Sequence, residues 1–184
     1  MPKVIENLRE NILRLSKDIL LREGYDALTV RGVAGALHIA VGTMYNYFPS
    51  KDYLVAAVML SDWQEALRRM EAQCAAAPTV RDGLFAVYSE LSAYQRLYES
   101  VWHGYAVTGS DKAAFRRRHA MLIEQLSAIL HGLLARHGAA EGGYLDTFLA
   151  EATLTASSEQ HDFSEFSAVV GRIIPNNEKE SISK

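Results

Sequence analysis

At 184 residues, with 49% hydrophobic and 22% charged side chains and a formal charge of −3, the chain has the composition of an ordinary globular protein of one or two small domains. A single cysteine, Cys74, excludes an internal disulfide framework and a cysteine-rich zinc site, and only four prolines leave room for long helices. The opening MPKVIENLRE is too charged for a signal peptide, and no apolar run approaches the roughly 20 residues that span a bilayer, so a cytoplasmic location is expected.

Residues 3–23 form the first expected helix, with Leu8, Ile12, Leu15 and Ile19 as its apolar stripe. Gly24 is placed to end it in a left-handed conformation. Val30, Val33, Ala34 and Leu37 then recur at i, i+3, i+4 and i+7, behind Thr29 as a side-chain cap. After a break at His38 and Ile39 a second short helix is expected over about 40–47, with Ile39, Met44 and Phe48 inward and Thr43, Asn46 and Tyr47 on the other side. Pro49 stops it, and Ser50 caps a new helix from Lys51 to about Ala76. That helix carries Leu54, Val58, Leu60, Trp63, Leu67 and Met70. Pro78 breaks the chain, and Thr79 with Asp82 starts the next helix, which continues to Tyr105 with a kink or short break expected near 94–100. Gly109-Ser110-Asp111 reads as a turn, 112–136 as a long helix, 138–143 as a break, and 144–157 and 162–173 as the last two helices. The polar stretch from Pro175 is expected to be disordered. No strand-like alternation stands out, so the fold class is all-α, with about nine helices.

Two short helices joined by a tight turn, the second with a polar and aromatic outer face, describe a helix-turn-helix. The second helix of that motif fits the major groove of DNA. The segment resembles the TetR family of bacterial transcriptional regulators. The resemblance rests on Thr29-Val30-Arg31, Val33-Ala34, Gly42-Thr43-Met44-Tyr45, Tyr47-Phe48 and Pro49-Ser50-Lys51-Asp52 with Leu54. In residues it covers about the first 55 positions; beyond them only length and helical character agree. Three positions depart from the family's usual pattern: His38 replaces the turn glycine, Ala40 a small polar cap, and Val41 a polar residue. A histidine tolerates positive φ better than a branched residue, while an alanine at the cap position costs about 1 kcal/mol.

The resemblance implies three regions: a DNA-binding domain at 1–50, a helical ligand-binding and dimerisation domain at 51–174, and a tail at 175–184. It implies that Thr29, Arg31, Val41, Gly42, Thr43, Tyr45, Tyr47 and Lys51 face DNA. Among these, Arg31 is suited to guanine O6 and N7, Thr43 and Val41 to thymine methyls, Tyr45 and Tyr47 to phosphates through their hydroxyls, and Lys51 to a phosphate. Charge gives little support: residues 1–52 carry net +1 and the remainder −4. In the second domain Trp63, Phe85, Tyr88, Tyr94, Tyr98, Trp102, His103 and Tyr105 are candidates to line a pocket for a flat or amphipathic molecule, although an aromatic stripe at helical spacing also suits plain core. The six histidines show no metal-ligand spacing, and no nucleophile elbow, phosphate loop or dinucleotide motif occurs; no metal, cofactor or enzymatic activity is expected.

The favoured reading is therefore a ligand-responsive transcription regulator, a repressor on a palindromic operator in double-stranded DNA. A small molecule would release it, and the family implies a homodimer formed through helices at about 143–173. The alternative is a helical small-molecule-binding protein whose DNA recognition is lost or altered, a reading motivated by Ala40 and Val41.

Overall fold

The structure, a computed structural model, describes residues 7–105, 112–139 and 144–174; within the helices the side chains of 102–105, 112–115 and 118 are not described. The order is α1 (Leu8–Glu23), α2 (Val30–Ala36), α3 (Val41–Tyr47), α4 (Lys51–Ala76), α5 (Val80–Tyr105), α6 (Lys112–Arg136), α7 (Leu145–Ser158) and α8 (Phe163–Ile173). The described residues contain no strand. The all-α class and the short-helix pair at the front are as expected, with eight helices among the described residues where about nine were expected. The difference lies in α5, which runs without the interruption expected near 94–100, since no glycine or proline occurs between Leu84 and His103 to break its backbone hydrogen bonds. The expected turn at 109–111, the segment 140–143 and the tail from 175 lie outside the described residues, as do positions 3–6 of the first expected helix.

Local chemistry explains where most helices begin and end. The Thr29 hydroxyl accepts the Gly32 N–H at 3.0 Å, and the Ser50 hydroxyl that of Tyr53 at 3.0 Å. Thr79 accepts from the Asp82 N–H at 3.1 Å and donates to its carboxylate at 2.7 Å. At α8, Asp162 accepts from the N–H groups of Ser164 and Glu165. Each satisfies donors that the first helical turn leaves free. At their other ends α2, α6 and α7 close alike, with His38, Gly138 and Gln160 at φ 54°, 67° and 56°. The next residue bonds back across five positions in each case: Ile39 to Ala34, Ala139 to Leu134 and His161 to Ala156. Gly24 has φ 86° as expected but ψ 176°, so it leaves α1 extended and not in the left-handed helical region. Asn7, at φ 58°, sits at the start of α1.

The chain divides into two compact units, 1–64 with 97–109 and 65–96 with 110–184. The core of the first gathers Ile12, Leu20, Leu28, Val33, Met44, Phe48, Leu54 and Val58, together with Val101 from the end of α5. On α1 the buried positions are Ile12, Leu13, Ser16 and Leu20. The stripe is thus rotated from the expected Leu8, Ile12, Leu15 and Ile19, of which only Ile12 is buried. Within this unit Lys17 of α1 reaches the Asp62 carboxylate of α4 at 2.7 Å, and the Tyr98 hydroxyl of α5 donates to the same carboxylate at 2.7 Å. One acid therefore ties three helices together.

The second unit is built on Met70, Leu84, Val87, Leu91, Leu126, Leu130, Leu133 and Leu149. The Arg69 guanidinium spans both oxygens of Glu90, and Gln73 donates to the same carboxylate at 3.1 Å, joining α4 to α5. Arg136 of α6 donates to the carbonyls of Cys74 and Ala75, in the last turn of α4, where helix carbonyls otherwise lack partners. No described helix is long and apolar enough to cross a membrane.

Candidate nucleic-acid interface and ligand site

The second short helix, α3, is anchored by Met44 and ended by Phe48, both fully buried. At about 100° per residue, Gly42 and Asn46 stand about 160° from Met44 on either side, and both are exposed. Tyr45 and Tyr47 flank them with 49% and 41% of their surface open, and Val41 and Thr43 are half-buried. α3 thus presents a face of small, polar and aromatic groups over an apolar base. Thr29 and Arg31, at the start of α2, are exposed. The Thr29 hydroxyl oxygen is engaged by the Gly32 N–H, so as an acceptor it serves the helix first.

The turn that sets α3 against α2 is held by the left-handed His38 and by bonds from His38 N–H to Gly35 O and Ile39 N–H to Ala34 O, at 3.1 and 3.0 Å. Ala40 has the extended φ and ψ of a helix cap, −66° and 140°, and supplies no side-chain bond. Lys51 is half-buried, its ammonium 3.9 Å from the centre of the Tyr25 ring. The Tyr25 hydroxyl donates to Asp52, so Lys51 stands beside an aromatic face with a carboxylate at its edge. All eight residues expected to face DNA thus lie in or beside the α2–α3 segment. Asn46, expected on the outer side of this helix but not among the eight, holds the centre of the outward face. Its signal was available as the position two residues beyond the buried Met44.

The aromatic candidates in the remaining helices separate into two groups. Trp63, 6% exposed, and Tyr98, fully buried, belong to the first unit, where the Tyr98 hydroxyl is committed to Asp62. Phe85, Tyr88 and Tyr94 belong to the second. Phe85 and Tyr88 meet at Phe163 of α8, with ring centres 4.9 and 5.3 Å from it, and Tyr88 donates to the carbonyl of His161 at 2.5 Å. Phe85 is 51% exposed and Tyr94 half-buried. The side chains of Trp102, His103 and Tyr105 lie outside the described residues.

The described residues of the second unit include two grooves. One, of about 550 Å³, runs along α7 and α8 and is walled by Phe148, Ala152, Thr155, Phe166, Val169 and Ile173. The other, of about 440 Å³, lies between α4 and α6 at Glu71, Cys74, Ile129, Leu133 and Arg136. None of the five described aromatic candidates, Trp63, Phe85, Tyr88, Tyr94 and Tyr98, lines either groove. Burial pushes the Cys74 thiol up to about 11, against a smaller opposing pull from the Arg136 guanidinium, so the thiol stays protonated at neutral pH. Among the described residues no group of three or more His, Cys, Asp or Glu side chains could hold a metal ion.

A short helix set outward on an apolar base, behind a tight turn and at the head of an all-helical chain, defines a helix-turn-helix protein. Residues 12–58 match the family described as bacterial regulatory proteins, tetR family. The chain is 26% identical over 132 residues to the HTH-type transcriptional repressor KstR of Mycobacterium tuberculosis, covering 70% of this chain and 57% of that protein. It is 28% identical over 95 residues to the HTH-type transcriptional regulator QacR of Staphylococcus aureus, covering 50% and 48%. These matches thus span only about half the length of each relative. Among solved structures, a transcriptional regulator of the TetR/AcrR family from Thermobifida fusca superposes with a TM-score of 0.57 at 19% identity, over 93% of this chain and 98% of that one. The TetR family regulator CifR, a cysteine mutant solved with a 26 bp double-strand operator DNA, gives 0.55 at 21%, over 89% and 93%. At such identities these two show a shared fold. Residues 12–58 thus carry the amino-terminal segment of the TetR family of bacterial regulatory proteins.

Proposed function

We propose that this protein is a homodimeric transcription regulator, a repressor that leaves a palindromic operator when its second domain binds a small molecule. The observation that carries the reading is the outward face of α3: Gly42, Tyr45, Asn46 and Tyr47 are exposed while Met44 and Phe48 are fully buried. Such a helix can enter a major groove without unpacking. Residues 1–50 form the DNA-reading part and 51–174 the effector-binding and dimerising part. Arg31 and Asn46 read bases, since a guanidinium fits guanine O6 and N7 and a carboxamide fits adenine N6 and N7. Thr43 and Val41 contact thymine methyls, Gly42 lets the helix approach closely, and Thr29, Tyr45, Tyr47 and Lys51 hold the backbone.

The dimer forms on α7 and α8. Phe148, Val169 and Ile173 expose 38%, 58% and 46% of their surface along one apolar groove, and a second copy of the same face would cover it with two-fold symmetry. Two-fold symmetry in turn suits two half-sites on one face of a duplex. The effector acts by binding more tightly to the dimer whose reading helices are wrongly spaced for successive major grooves, which lowers DNA affinity by linkage. The protein works where the chromosome is, in the cytoplasm, as a regulator and not as an enzyme.

The test is a gel shift on the promoter beside its own gene. Arg31→Ala should weaken binding by about 1–3 kcal/mol and relax preference at one base pair; equal binding by variant and wild type removes Arg31 from the reading set. A second reading, a small-molecule-binding protein with altered DNA recognition, draws on Ala40, which leaves α3 without a side-chain cap. Binding to duplex DNA that does not change with salt would favour it, because phosphate contacts release counterions.

A further inference from the structure

The reading face is poor in cations. Lys17 is paired with Asp62, Arg14 bonds the Asn11 side chain, and Lys51 rests on the Tyr25 ring. Against that background Arg9, exposed near the start of α1, has an informative position. Its guanidinium carbon lies 5.8 Å from the centre of the Phe48 ring, the fully buried residue that ends α3. The same ring is flanked by Tyr47 and Tyr53, each with its ring centre 6.4 Å away. Both tyrosines are open, at 41% and 56%. Arg9, Tyr47 and Tyr53 therefore gather around one buried aromatic hub at the end of α3, and Arg9 brings a fixed positive charge to it.

We propose that Arg9 and Tyr53 form a second grip on the DNA sugar–phosphate backbone, beside the recognition helix and independent of base sequence. The inference rests on the DNA-binding reading above. Arg9 supplies the charge, held over the Phe48 ring, and Tyr53 supplies a neutral hydroxyl donor beside the same ring. A phosphodiester suits this surface because a planar guanidinium and a hydroxyl are both phosphate donors. Neither carries the groove geometry needed to tell one base from another.

The two groups differ in a measurable way. Each neutralised phosphate contributes about 0.9 to the slope of log affinity against log salt, whereas a neutral hydroxyl releases no counterion. The experiment is a salt titration by fluorescence anisotropy, with a labelled duplex from the promoter beside the gene and a random-sequence duplex of the same length. In a dimer, Arg9→Gln should make the slope shallower by about two on both duplexes. Tyr53→Phe should lower affinity on both equally and leave the slope alone. Arg14→Gln is the control: Arg14 lies five residues on, about 140° round the same helix, and its loss should leave the slope unchanged. If Arg9→Gln unfolds, Arg9→Met keeps apolar cover over Phe48 and should give the same shallower slope. Wild-type slopes from folded Arg9 variants together with wild-type affinity from Tyr53→Phe overturn the proposal while the DNA-binding reading stands. Wild-type protein that binds neither duplex in a salt-dependent way overturns both.

Discussion

Tyr98→Phe probes the junction of α1, α4 and α5. The substitution removes one oxygen and leaves the ring, so no cavity of consequence opens at a fully buried position. What is lost is a 2.7 Å hydrogen bond to the Asp62 carboxylate. A hydrogen bond to a charged acceptor is worth about 1.5–3 kcal/mol. Two features pull this case to the low end: Asp62 keeps Lys17 at 2.7 Å, and its side chain retains 16% exposure, so water can take the vacated position. We expect a loss of about 1.5 kcal/mol, or about 3–6 °C in the melting temperature for a chain of this size. Urea unfolding followed by circular dichroism measures it, with an unchanged slope showing that the unfolded state is not the cause. A double-mutant cycle with Asp62→Ala should return a coupling of about 1 kcal/mol between the two sites. A Tyr98→Phe protein as stable as wild type, or more so, refutes the argument that the hydroxyl holds α5 to α4.

Ala40→Ser should stabilise the protein by about 1 kcal/mol, because Ala40 already has the backbone conformation of a cap and lacks only the acceptor; an unchanged urea midpoint would count against it. Cys74 should resist iodoacetamide at pH 8 in the native protein and react fully in urea, since its thiol is raised from 9.0 to about 11. The native state keeps the proton that the unfolded chain releases, so this residue's contribution to stability holds below pH 9 and falls away as pH rises from 9 to about 11. Cys74→Ala should flatten that part of the pH–stability curve measured by urea unfolding. Val169→Asp, at a 58% exposed position of α8, should leave the monomer folded and halve the mass seen by sedimentation; a variant with the wild-type mass would remove this face as the dimer contact.

What the sequence made legible was local. Thr29, Ser50 and Thr79 announced helix starts because a short polar side chain at a cap acts on N–H groups two or three residues away. The helix-turn-helix was legible for the same reason, its spacing being fixed within some twenty residues. Which face of a long helix turns inward was harder. Leu60 sits in an apolar run yet is 53% exposed, and Phe85, expected in a pocket, stacks on Phe163. A helix face is chosen by its partner, and nothing near Phe85 in the chain announces a residue of α8. Asp62 belongs to no stripe and no motif. Its importance comes from Lys17 and Tyr98, 45 and 36 positions away.

The charge distribution bears on how such a protein could select its site. The chain as a whole is negative, so long-range attraction to DNA is weak and non-specific binding, which is mostly counterion release, is held down. On the reading proposed above, a single head that grips with Arg9, Arg31 and Lys51 would neutralise few phosphates and on its own would hold a duplex loosely. Two heads fixed on one dimer change this, because the second contact becomes intramolecular once the first is made. That gain exists only where both half-sites lie at the spacing the dimer imposes. Weak heads joined rigidly therefore make affinity depend on the distance between them. That is the quantity an effector in the helical domain would have to alter: the fewer cations each head carries, the smaller the change in spacing needed to release the DNA.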